Sequence, residues 1–549
     1  MRIAGMSIVA VLLALAACSR SPLDQGMDQI TADRLRSHIA VLAADSLEGR
    51  GPATIGEQRA IRYIESQYKE MGLEPAGENG TYVQDVPLVG FRLDPSVTLD
   101  LGRGQKKLRL KYRDDFIAFT GVFEPVVKVD GAEVVFVGYG IDAPEQHWND
   151  YKGANLRGKV LLMMNDDPNT DDNTFFAGKG RTYYGRWDYK YEEAARQGAV
   201  GAIVIHTTAS AGYPFQVVQS SWYGENFELA SESSSPALKL KAWTTEDATK
   251  RLLALADFDL ARLTAMAQER SFRPVPLGLK LSVTMKYTIR HLVTHNVLGL
   301  VRGGNPELNH QAIVFTAHYD HFGLGKPVKG DSIYNGALDN ASGVSMILTL
   351  AKAFSVMNPK PDRSVLIAAV AAEERGLLGS EYFAHHPTLP ARDLIANINV
   401  DGINIWGRTS DIVFLGADHS SLGADVAAVA RTMGLTVKPD QFPEQGSFYR
   451  SDQFSFAKVG IPCLSLDSGT DYVGKPVDYA KKQVDEYINE HYHQPSDELR
   501  DDWNYDGALQ QGEFLLRLTL RIADAQTLPQ WNPGDEFASA RNAAMTPGP

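Results

Sequence analysis

From about Thr294 onward the sequence alternates short apolar runs with segments of helical period, and that rhythm restricts the chain to few architectures. AIVFTAHYD (312–320), SVLIAAVAAEE (364–374) and LIANINVDG (394–402) read as strands without a polar face. GVSMILTLAKAFSV, LLGSEYFAHH and SSLGADVAAVARTMG read as the helices of the same region. Strands buried on both faces and joined by amphipathic helices build a mostly parallel sheet covered on both sides, an α/β fold.

In such sheets ligands gather beyond the carboxyl ends of the strands, and those ends are unusually polar. The first strand runs into His318 and Asp320, and the second into the adjacent pair Glu373 and Glu374. The third strand ends at Asp401, the loop NGALDNASG supplies Asp339, and EHYHQPSDE supplies His491 and His493. Any one of these alone reads as a strand cap, a helix cap or a turn residue. Several carboxylates on one rim repel and raise one another's pKa values unless a cation is present. Two histidines with those carboxylates are donors that zinc accepts. Glu373 and Glu374 then suggest a division of labour, one carboxylate for metal and one for protons. Adjacent residues of an extended strand point to opposite sides, so the backbone is expected to turn at that pair.

Ahead of this region the texture differs. ITADRLRSHIAVLAADSLEGR and IGEQRAIRYIESQYKEMGLEP read as helices, with Thr31 as N-cap of the first and Gly72 closing the second. From about Val122 the glycine-punctuated β runs AEVVFVGYGI, GKVLLMMN and VGAIVIH show no histidine–carboxylate cluster. NDDPNTDDN (165–173) lacks the glycine and terminal glutamate of an EF-hand and reads as a solvated acidic loop. A formal net charge of −13 without a basic stripe excludes a nucleic-acid partner. With 549 residues, several domains are expected.

The N-terminus, MRIAGMSIVAVLLALAACSR, has a basic start and an apolar stretch too short to span a membrane comfortably. It closes on LAAC, which resembles a lipoprotein box. That resemblance implies lipidation of Cys18, membrane attachment through the N-terminal lipid, and residence in a bacterial cell envelope, at the outer membrane facing the periplasm. The other cysteine, Cys463, sits in apolar GIPCLSL and reads as a core residue.

The series HYD, DNASG, EERGLLGS, VDG and YHQPSD, together with DSLEGRGPATIGEQRAIRYI and YRSDQFSFAKVGIP, closely resembles the M28 zinc peptidases, the co-catalytic aminopeptidases. The resemblance implies a mixed, mostly parallel sheet with helices on both faces and an inserted β-rich protease-associated domain. It implies a signal segment at 1–18, a first peptidase part at 28–121, the insert at 122–290, the main peptidase part at 291–530 and a disordered tail at 531–549. It further implies two Zn2+ per chain, with His318 and Asp401 on one, Glu374 and His493 on the other, and Asp339 bridging. Glu373 would be the general base, Asp320 the carboxylate that orients His318, and Tyr492 a donor to the tetrahedral intermediate. Asp497 would orient His493, which the family spacing favours over His491. His321, His385 and His386 are left as surface or supporting residues. The implied activity is hydrolysis of peptide substrates by an aminopeptidase. The alternatives are a carboxypeptidase or dipeptidase on the same site, a non-catalytic binding protein, and a glutaminyl cyclase.

Overall fold

The computed structural model describes residues 20–545 apart from 169, 173, 174, 223 and 231–236. The expected signal segment and Cys18 lie outside the described residues. Among those described, no helix is long and apolar enough to cross a membrane.

After a short helix at Pro22–Met27 comes α1 (Ala32–Leu42), where the Thr31 hydroxyl accepts the Arg34 N–H as the N-cap pattern predicts. Helix α2 (Ile55–Met71) ends on Gly72 at φ 72°, a left-handed cap that glycine adopts without strain. Strand β1 (Val83–Leu93) follows, and β2 (Val275–Val301) returns beside it after the intervening β-rich region. Then come β3 (Ala312–His318), α3 (Gly343–Val356), β4 (Ser364–Val370), α4 (Leu378–His385) and β5 (Leu394–Val400). The domain closes with β6 (Asp411–Leu415), α5 (Leu422–Met433), β7 (Cys463–Asp467), α6 (Tyr479–Glu490) and α7 (Asp506–Ala523).

Pairing runs β1–β2–β4–β3–β5–β7–β6, with β4, β3, β5 and β7 mutually parallel and β1, β2 and β6 joined antiparallel. The sheet is therefore mixed with a parallel centre, and every residue of β3, β4 and β5 is buried. Helices α1, α2, α3, α5 and α7 contribute to the apolar core on one face. Phe383 of α4 and Phe456 cover the other face, against Leu298, Val314 and Leu366. Two-sided coverage follows from the unbroken apolar strands.

A second core, from Phe91 to Tyr287, belongs to the β-rich body. Its strands reach back earlier than the change of texture at Val122 predicts. Thr98–Arg103 pairs with Lys280–Val283 of β2, and Phe116–Phe119 pairs with Lys241–Thr244. The body thus begins near residue 98, because these strands find partners only after more than a hundred intervening residues. Strand β2 serves both bodies, with its first half in the second sheet and its second half between β1 and β4. The start of the acidic stretch is also less solvated than expected, since Asp167 is buried and accepts the Thr182 N–H at 2.9 Å, whereas Asp171 and Asp172 are exposed.

Residues 531–545, the described part of the expected tail, are not loose. Trp531 is buried and donates its indole N–H to the Gly460 carbonyl at 2.7 Å. Phe537 is 3% exposed, and a helix occupies Ala538–Met545. Asp535 contacts His419 at 2.7 Å, and Glu536 accepts the Tyr449 hydroxyl at 2.8 Å. The small and polar composition of this segment hides two aromatic anchors that only a folded partner surface can bury.

Candidate metal centre

Parallel register brings the strand ends to one rim. His318 at the end of β3 is opposite Val370 of β4, so the Glu373–Glu374 pair begins just beyond it. The expected turn is present: Ala372 adopts φ 55°, Glu373–Arg375 forms a single 3-10 turn, and Gly376 and Leu377 also have positive φ. The Glu373 N–H donates to Asp320 Oδ1 at 3.1 Å, which ties this turn to the end of β3.

Asp339 sits in an irregular turn, 337–342, just ahead of α3, and the Asp339–Asn340 peptide is cis. Asn340 fastens that turn to the end of β5. Its amide donates to the Val400 carbonyl, and its oxygen accepts the Gly343 and Gly402 N–H groups, each at 2.9 Å. Gly336 has φ 55°, and a Cβ there would fall within 2.8 Å of the His321 ring, so only glycine lets this turn approach the histidine.

The two carboxylate oxygens of Asp339 face different histidines. His318 Nε2 is 3.2 Å from Asp339 Oδ1 and 3.2 Å from Asp401 Oδ1. His493 Nε2 is 3.3 Å from Asp339 Oδ2 and 3.4 Å from Glu374 Oε2. Five of the expected residues thus form two donor triads that share one carboxylate. His491 does not compete, because its nitrogens face the Ser496 carbonyl at 2.9 Å and the Arg500 guanidinium at 2.8 Å.

The donors call for positive charge. Burial would lower the His318 pKa, yet Asp401, Glu373 and the bond to Asp339 drive it well above the ordinary imidazole value. Burial would raise Asp339, yet its bonds to His318 and His493 hold it well below the carboxylate range. Burial, with Asp339 adding to it, pushes Glu374 up to about 8. Its Oε1 has no hydrogen-bond partner, and neither has Asp320 Oδ2. A divalent cation satisfies the same carboxylates while leaving the imidazoles neutral, the form in which they ligate. The ligand atoms also cluster within 4.8 Å of one another in three groups: His318/Asp339/Asp401, His318/Glu373/Glu374 and His321/Asp339/Glu374. The site fits zinc in donor type and spacing.

Two supporting residues differ from expectation. Asp320 meets His318 Nδ1 with its main-chain carbonyl at 3.2 Å, while its carboxylate stands at 3.8 Å. The carbonyl accepts, so Nδ1 carries the proton and Nε2 offers a lone pair toward Asp339 and Asp401. Asp497 does not orient His493. Its carboxylate accepts the N–H groups of Leu338 and Asp339 at 3.0 to 3.2 Å, so it holds the backbone of the shared carboxylate.

One residue escaped the sequence reading, and another was left there as a surface or supporting residue. His321 is fully buried, with Nδ1 2.6 Å from Glu374 Oε1 but not aligned to hydrogen-bond it, and burial lowers its pKa to about 4, which keeps it neutral. The signal was a second histidine three positions after His318. Arg50, within DSLEGR, is also fully buried and donates to the carbonyls of Leu42, Tyr319, Asn335 and Gly336. One guanidinium thereby ties together two of the segments that carry donors, those of His318 and Asp339. His385 stays exposed beside Glu381, consistent with a surface role.

A cavity of 360 Å³ opens beside Asp339, Glu373, Glu374, Asp401 and His493. Tyr492, half-exposed at its mouth, stacks on His493 with ring centroids 3.7 Å apart. Desolvation, then Asp339 and the other carboxylates, drive its pKa well up, so its hydroxyl remains a donor.

Residues 296–518 match the model of Peptidase family M28. A 172-residue stretch is 30% identical to a vacuolar membrane protease of Yarrowia lipolytica, covering 31% of this chain and 16% of that protein. A 213-residue stretch is 29% identical to aminopeptidase YwaD of Bacillus subtilis, covering 38% of this chain and 40% of that one. The chain thus spans less than half the length of these relatives. Among solved structures, an aminopeptidase from Aneurinibacillus sp. strain AM-1 aligns over 92% of this chain and 97% of its own, at 22% identity and a TM-score of 0.49.

Proposed function

We propose that this chain is a zinc-dependent exopeptidase that releases N-terminal residues from peptides. The observation that carries the reading is Asp339, whose two oxygens stand 3.2 and 3.3 Å from two different histidines. His318, Asp339 and Asp401 would hold one zinc, and His493, Asp339 and Glu374 the other. Zinc in such a site supplies Lewis acidity to a peptide carbonyl and lowers the pKa of a water toward neutrality.

The protein's own groups do the rest. Glu373 lines the cavity outside both triads and is the group left to move a proton. It accepts one from the attacking water and returns it to the leaving nitrogen as the C–N bond breaks. The Tyr492 hydroxyl donates to the carbonyl oxygen as negative charge develops there. Arg50, Asn340 and Asp497 keep the donor loops in register by backbone hydrogen bonds alone.

Several carboxylates around the cavity favour a substrate end that is an ammonium rather than a carboxylate. Free-amine aminoacyl amides should therefore be cleaved, and their N-acetyl counterparts at least about 100-fold more slowly, in proportion to the lost charge pairing. Equal rates on both would overturn the aminopeptidase reading. One observation favours the carboxypeptidase or dipeptidase alternative. Arg450 lines the same cavity, and no acceptor meets its guanidinium among the described residues. Cleavage of N-acetyl peptides with a free but not an amidated C-terminus would select that alternative.

The β-rich body is read as a protease-associated module that narrows access to the cavity. Membrane attachment at the cell envelope rests on the LAAC motif at Cys18. Metabolic labelling with palmitate should mark the chain and vanish in Cys18→Ser, and label surviving that change would refute lipidation there.

A further inference from the structure

We propose that Asp467 is the specificity pole of the subsite that receives the side chain of the substrate's N-terminal residue, and that lysine or arginine is preferred there. This rests on the aminopeptidase reading and extends it to the class of residue released.

Asp467 is the last residue of β7. Leu466 pairs with Val400 of β5, so the next residues on these parallel strands, Asp467 and Asp401, are neighbours on the rim. Adjacent strands lie about 4.8 Å apart, which sets Asp467 one strand away from the donor triads. Both residues line the same cavity. Nearby acidic residues are structural, and Asp467 is unlike them. Asp411 is fully buried, accepts the Thr470 and Asp471 N–H groups, and stands 3.6 Å from Lys438. Asp471 pairs with Lys438 at 2.7 Å. Asp467 is exposed to the cavity, and among the described residues its carboxylate accepts only the N–H of its own neighbour, Ser468, at 2.7 Å, while its main-chain carbonyl accepts the Gln511 amide at 3.3 Å. Among the described residues no lysine, arginine or histidine pairs with it.

Ser468 and Gln511 sit against it, and Ile403, Trp406, Leu415, Leu466 and Val484 contribute apolar wall to the same cavity. Apolar walls with one carboxylate suit a side chain that is aliphatic along its length and cationic at its tip, which buries its methylenes while the head meets the charge. An ion pair made there, partly shielded from solvent, is stronger than one at an open surface. Arg450 of the same cavity follows the turn Ser447–Tyr449, and the charges that act against its own are Arg186 and Arg181 of the β-rich body.

The test uses the zinc-loaded full chain and the aminomethylcoumarin amides of Lys, Arg, Leu and Glu. Wild type should show kcat/KM for Lys and Arg at least about tenfold above Leu, with Glu lowest. Asp467→Asn should lower the Lys-to-Leu ratio of kcat/KM by about 30-fold. A wild-type preference for Leu, or a ratio unchanged by Asp467→Asn, overturns the assignment, since an anchor for the α-amine or a purely structural carboxylate would affect every substrate alike. No hydrolysis of any of the four amides overturns the exopeptidase reading and this proposal with it.

Discussion

Glu373→Gln is expected to keep the zinc content of the wild type and to lose about a thousandfold in kcat, the scale of a removed general base. The amide is nearly isosteric with the carboxylate, so the turn that begins at Ala372, including the Glu373 N–H bond to Asp320, has no reason to change. What disappears is the ability to take a proton. Burial, then Glu374, Asp401 and Asp452, push the Glu373 carboxyl above its ordinary value against the opposing pull of His318. Metal analysis and single-substrate kinetics on the same sample decide the matter. A kcat within tenfold of wild type would remove Glu373 from proton transfer. Loss of metal along with activity would make it a ligand instead, as the His318/Glu373/Glu374 grouping permits.

Asp339→Ala should be more damaging. One substitution withdraws a donor from each triad, so zinc per chain should fall from two to one or none, and turnover by at least about a thousandfold. A folding defect would give the same activity result, and thermal stability separates the two. A cation that binds only the native state raises stability by RT ln(1 + [L]/Kd). Wild type should therefore gain Tm on zinc addition and lose it to chelator. Asp339→Ala should also lower the apo Tm, because it removes the buried partner of His318 and His493, so the deciding readout is the change in Tm on zinc addition. The variant should gain little when zinc is added. A variant that still binds two zinc ions and responds like wild type would dismiss the shared-carboxylate arrangement.

The reach of sequence reasoning differs from residue to residue. His318, Asp401 and the glutamate pair were legible because apolar strands announce themselves by local composition, and the residues just past their ends must lie on the carboxyl rim of a parallel sheet. The turn at Glu373 was also anticipated, since an extended backbone cannot aim two neighbours at one place. Asp497 was misassigned. Proximity in sequence suggested His493, whereas its carboxylate serves the backbone of Asp339, 158 residues away. His321 was left as a surface or supporting residue because nothing local distinguishes a buried histidine from an exposed one. The β-rich body was placed too late for a similar reason, as Thr98–Arg103 becomes part of a sheet only by meeting β2.

By itself, then, the sequence determined the order of strands and helices, the polar character of the strand ends and the kinds of donor available, all of them consequences of short-range periodicity and side-chain chemistry. Only the tertiary structure decided which histidine faces which oxygen of Asp339, where Arg50 and Asp497 spend their hydrogen bonds, and that Trp531 and Phe537 anchor the C-terminal segment. Those outcomes depend on contacts between distant parts of the chain. A buried polar group takes whichever partner the packed fold delivers within about 3 Å, and distance along the chain carries no record of that choice.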